Sequence, residues 1–76
     1  MAVSDKGIEN LRNAIILQAV NDLKRAYRNL KRNPDSVQLK AAAEYEERFF
    51  SSKWYKTLTT IDGSMVVAHV REEAGL

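Results

Sequence analysis

The chain lacks cysteine altogether and holds one histidine, one proline and three glycines among 76 residues. Without cysteine there are no disulfides, no thiolate chemistry and no Cys-based zinc site. His69 alone builds no histidine-rich metal site within one chain and no nucleophile–histidine–acid triad of any specificity. With so few glycines there is no phosphate-cradling loop of the glycine-rich kind. No run approaches the roughly 20 apolar residues that a membrane span requires. The polar start, MAVSDKGIEN, lacks the charged-then-apolar order of a secretory leader. The expectation is a cytoplasmic, non-enzymatic protein that takes no cofactor, holds no metal and touches no membrane.

What is present is the composition of a folded chain. Hydrophobic residues make up 45% and charged residues 29%, the balance of a globular domain and not of a disordered tail. Residues 1–76 form one domain near the small end of what folds alone. A domain of this size hides only about 60% of the surface that its unfolded chain exposes. With disulfides and metals excluded, association between chains is the expected support.

Residues 8–30 carry apolar side chains at helical spacing: Ile8, Leu11, Ile15, Ala19, Leu23, Ala26, Tyr27 and Leu30 share one side. Ser4 or Asp5 can cap the start. Arg12 interrupts the apolar side and Leu17 points away from it. Asn33-Pro34-Asp35 ends this helix, and the spacing predicts a second over residues 34–50 with Asn33 as its cap. Three consecutive alanines allow a neighbour to approach it closely, while Glu44, Glu46 and Glu47 form a solvated acidic face. Ser51-Ser52 caps a short third helix over residues 53–60, with Trp54, Tyr55 and Leu58 as its buried side. Asp62 caps a fourth, Gly63–Glu73, which Gly75 terminates. Ile61 and Val66 have the spacing of a hydrophobic staple across that start. The expected fold is all-α: four helices, one long N-terminal helix packed against three shorter ones.

The first helix is long for its setting. Residues 5–32 span roughly 42 Å at 1.5 Å per residue, against a radius of gyration of about 11 Å for a compact chain of this length. One end must overhang, leaving Ile8, Leu11, Ile15 and Ile16 for a second copy to cover. A homodimer is therefore expected.

The feature that points to an activity is KRAYRNLKRN, residues 24–33, with five positive charges and no negative one. Lys24, Arg25, Arg28, Lys31 and Arg32 fall inside an arc of roughly 120°, opposite the apolar side. Phosphate contacts from such a stripe supply most sequence-independent affinity for nucleic acid. A solvated face near a helix C-terminus, where the dipole favours cations, accounts for the same residues. Five of the six aromatics, Tyr45, Phe49, Phe50, Trp54 and Tyr55, lie within eleven residues. They read as a core that pins the short helix, with Trp54 or Phe50 a protein-docking anchor if left exposed. The third and fourth helices match a helix-turn-helix poorly. The N-terminal turns of the second helix in that unit, Gly63 to Val67, offer few polar groups, and Glu72 and Glu73 repel phosphates.

The segments Ala14-Ile15-Ile16-Leu17-Gln18-Ala19-Val20, Arg48-Phe49-Phe50-Ser51-Ser52-Lys53-Trp54-Tyr55, Leu58 and Ile61-Asp62-Gly63 give the chain, from Ala14 onward, a likeness. It resembles the small helical proteins encoded in phages and mobile elements of Gram-positive bacteria. The resemblance implies a context of regulators, accessory factors or inhibitors of host systems, and assigns no residue a role. Two expectations follow: an accessory protein that binds nucleic acid or another polyanion through the stripe, or a stoichiometric module that docks on a host protein.

Overall fold

The computed structural model describes residues 5–76, which form four helices: α1 (Asp5–Arg32), α2 (Val37–Phe50), α3 (Lys53–Leu58) and α4 (Gly63–Glu73). There is no strand among them. α1 is the spine, and each of the other three packs on it. Leu23, Ala26, Tyr27, Ala43, Phe50, Tyr55 and Val70 make the buried core, drawn from all four helices. The molecule measures 50 × 21 × 20 Å with a radius of gyration of 14.1 Å. It is a rod set by the length of α1, as the length argument requires.

The helix ends follow local chemistry. Asp5 lies in the first turn of α1; Ser4, the other candidate cap, is outside the described residues. α2 begins three residues later than expected, because Asn33-Pro34-Asp35 forms a turn instead of a helical start. The Ser36 N–H donates to the Asn33 carbonyl at 3.1 Å, and Pro34 supplies the fixed φ that such a turn favours. Ser36, not Asn33, is then the cap, its Oγ accepting from the Leu39 N–H at 3.2 Å. Ser52 caps α3 in the same way through the Tyr55 N–H. Asp62 caps α4 through the Ser64 N–H at 2.9 Å, as the sequence predicts. Ile61 remains 62% exposed, so the expected staple with Val66 contributes little.

α4 ends in a Schellman motif. Gly75 has φ +78°, its N–H donates to the Glu72 carbonyl, and the Leu76 N–H donates to that of Arg71. That pairing satisfies carbonyls that the helix end leaves open. Gly63 is needed for a different reason. A Cβ there would lie 1.9 Å from the Phe50 carbonyl oxygen, so only glycine lets the start of α4 approach the end of α2.

Of the alanine run, Ala43 is buried in the core, where its neighbours approach closely, and Ala41 and Ala42 face out. One expectation about burial is corrected. Trp54 is 56% exposed, whereas Tyr55 and Leu58 are buried. A helix of six residues turns one narrow side inward, and Tyr55 and Leu58, three apart, occupy it.

Candidate functional site

The basic stripe lies on the C-terminal half of α1, over the stretch whose other side is fixed by Leu23, Ala26 and Tyr27. Lys24, Arg25, Arg28, Lys31 and Arg32 are all exposed. Among the described residues none of the five forms an ion pair. Their charge is therefore uncompensated at contact distance.

The stripe is not uniform. Lys24 and Arg28 border a shallow recess of about 160 Å³ shared with Val70, Glu73 and Ala74 of α4. Lys31 leans over the end of α4: a Cβ on Gly75 would lie 2.3 Å from its Nζ. That places the ammonium at the negative end of the helix dipole, where it is favoured. Arg25 and Arg32 lie about 100° further round α1 than Lys24 and Lys31, on the side turned from α4. Arg25 and Arg32 are thus the cations that α4 engages least.

α4 also brings Glu73 beside Lys24 and Arg28, and its Oε1 pairs with His69 Nε2 at 2.8 Å. Sequence reasoning did not place Glu73 next to the stripe. The two lie more than forty positions apart, and only the packing of α4 on α1 joins them.

A second polar cluster ties α1, α2 and α4 together. The Tyr27 hydroxyl, on a residue 1% exposed, donates to Glu47 Oε2. Arg71 Nη1 lies 3.9 Å from that same oxygen. Burial, and then the Glu47 carboxylate, push the Tyr27 hydroxyl well above the usual tyrosine pKa, while Arg71 opposes them. The expected acidic face is corrected here: Glu44 is exposed, but Glu46 and Glu47 are half-buried and Glu47 serves the core. The cluster holds three helices together.

The aromatic joint divides into an inner and an outer set. Phe49, Phe50 and Tyr55 pack ring to ring at 5.2–5.6 Å, two of the three pairs edge to face. Such geometry adds roughly 0.5–1.5 kcal/mol per pair beyond burial. Tyr45 and Trp54 are 69% and 56% exposed and belong to no ring pair. The Tyr55 hydroxyl is buried without a hydrogen-bond partner among the described residues, and burial, then the Asp62 charge, raise its pKa.

The expected interface residues of α1 also separate. Leu11 is 62% and Ile8 39% exposed, and Ile15 is half-buried. Ile16 packs against the core, so the expectation that it is left uncovered is corrected. Arg12 is exposed beside Ile8, where Leu58, Thr59 and Thr60 reach back along α1. Leu17, as its position predicts, faces out at 61%.

Among the described residues no group of His, Asp or Glu side chains is arranged to hold a metal ion, and no helix is long and apolar enough to cross a membrane. No protein-family model, no curated protein and no solved structure matches the chain.

Proposed function

We propose that this chain is a non-enzymatic accessory or regulatory protein of a phage or mobile element. It binds nucleic acid, or another polyanion, through Lys24, Arg25, Arg28, Lys31 and Arg32. One observation carries the reading: five exposed cations share one side of a helix, and no carboxylate among the described residues pairs with them. Anchored on the core by Leu23, Ala26 and Tyr27, that side keeps its cations in a fixed row, so a phosphate backbone meets them without first ordering the chain. The contact is electrostatic and sequence-independent, driven by release of counterions from the nucleic acid.

The test is a titration of fluorescent duplex and single-stranded DNA with the wild-type chain and with an Arg25→Glu, Arg28→Glu, Arg32→Glu variant. Arg25 and Arg32 are chosen because α4 engages them least, and Arg28 because it is exposed and unpaired among the described residues. The expected result is wild-type binding that the variant loses while keeping its helical circular dichroism. Equal binding by the two chains would rule out this surface.

A second reading is favoured by the outer aromatics. Trp54 and Tyr45, with Leu11 and Leu17 on α1, are large apolar side chains more than half exposed, and exposed aromatics are common anchors of protein docking. On this reading the chain is a stoichiometric module that binds a host enzyme or defence complex. Trp54→Ala then abolishes its effect on the host, and the triple arginine variant does not.

A further inference from the structure

The N-terminal half of α1 carries an apolar stripe that the other helices cover only in part: Leu11 is 62% and Ile8 39% exposed, Ile15 is half-buried, and the end of α3 borders Asp5, Ile8 and Arg12. Ile8, Leu11 and Ile15 follow one another at spacings of three and four, the a–d–a positions of a two-helix seam. The stripe stops being apolar at Gln18 and Asp22, whose side chains bond to each other at 3.0 Å. Its edge is charged. Asp5 and Arg12 stand seven residues apart, so both occupy the e position of that repeat, and among the described residues neither forms an ion pair.

We propose that this stripe pairs with the same stripe of a second copy, antiparallel and about a two-fold axis. Charge selects the orientation and the register. With Ile8 set against the partner's Leu11, and Leu11 against the partner's Ile8, Asp5 meets the partner's Arg12 and Arg12 meets the partner's Asp5. Sliding the pairing one step, to Leu11 against the partner's Ile15, sets Arg12 against Arg12 instead. A parallel pair gives neither Asp5 nor Arg12 an opposite charge and brings the two basic stripes to the same end. In the antiparallel pair the stripes stand roughly 55 Å apart, taking 1.5 Å per residue, several Debye lengths at physiological salt. The interface is isologous and closed, so assembly ends at two chains. A seam this short falls below the roughly 800 Å² per partner of a stable complex, so the dimer dissociates on dilution.

The absence of cysteine permits a clean test. Ile8→Cys and Leu11→Cys chains, one of them isotope-labelled, are mixed and oxidised, and mass spectrometry counts mixed against like pairs. The antiparallel register predicts that mixed disulfides predominate; like pairs in excess, or no cross-link, would overturn it. Sedimentation equilibrium of the cysteine-free chain should show a monomer–dimer equilibrium, and a monomer at every concentration up to near-millimolar contradicts the proposal. Arg12→Asp should raise the dissociation constant about tenfold, and adding Asp5→Arg should restore it. Both sites are exposed, so circular dichroism should not change. A double variant as weak as the single one removes the register. None of these measurements contains nucleic acid, so their failure leaves the polyanion reading standing, and the reverse holds equally.

Discussion

The two halves of α1 have the same apolar spacing and opposite fates. In the C-terminal half Leu23 is fully buried and Tyr27 is 1% exposed; in the N-terminal half Leu11 is 62% exposed. At 100° per residue Leu11 lies about 120° round the helix from Leu23, near the edge of the apolar side. The rest of the difference comes from the reach of the other helices: α2 and α4 supply the core around Leu23 and Tyr27, and the end of α3 extends back towards Ile8. Helical spacing states which side of a helix is apolar, and tertiary packing decides which part of that side becomes core. The same packing stiffens the half that carries the basic stripe.

Leucine truncation is the sharpest way to break this comparison. Leu23→Ala should cost about 3 kcal/mol, the usual price of a core cavity. Leu11→Ala, in dilute solution, should stay within about 0.5 kcal/mol, as for exposed sites. Urea denaturation of the two variants measures both. Comparable losses would mean that the N-terminal half is covered in the monomer.

A smaller effect separates the two buried tyrosines. Tyr27→Phe deprives half-buried Glu47 of its donor and should cost about 1–2 kcal/mol. Tyr55→Phe removes a buried hydroxyl that has no partner among the described residues and should be neutral or raise stability by up to about 1 kcal/mol. Thermal melts of the pair test whether hydrogen bonding or ring packing holds α1 to its neighbours. A large loss from Tyr55→Phe would contradict the packing described at the aromatic joint.

The smallest effect concerns the start of α4, the helix that flanks the stripe. Hydrogen bonds from the Ser64 side chain and backbone hold the Asp62 carboxyl below its ordinary value of 3.8. The charged cap therefore contributes fully above the ordinary carboxylate range, and its contribution is lost as the pH falls through the lowered value. Asp62→Asn should remove that acid dependence while keeping a capping oxygen. Stability of both chains measured from neutral pH down to pH 2 compares the slopes, and identical slopes would exclude Asp62 as their source.

Much of the fold was legible in short-range chemistry. The third and fourth helices start at Ser52 and Asp62 as capping rules require, and Gly75 ends α4 through its positive φ. The start of α2 was not, because Ser36 and Asn33 are both good caps and the turn at Pro34 chooses between them. Trp54 was misplaced for a related reason: apolar character does not reveal that a six-residue helix has room for only two inward side chains. The five stripe cations could be read from the sequence because exposure opposite an apolar side is a local property. Glu73 beside Lys24, Lys31 across Gly75, and Glu47 under Tyr27 could not, since each joins residues far apart in the chain.

The measurement that bears most directly on the proposed activity is the salt dependence of duplex DNA binding, in the wild type and in successive Arg25→Gln, Arg28→Gln and Arg32→Gln variants. Each phosphate contact contributes about 0.9 to the steepness of log affinity against log salt. The account predicts a wild-type slope of up to about −4.5, made shallower by close to 0.9 at each substitution. Wild-type binding with a slope near zero, or a slope unmoved by all three substitutions, would contradict it.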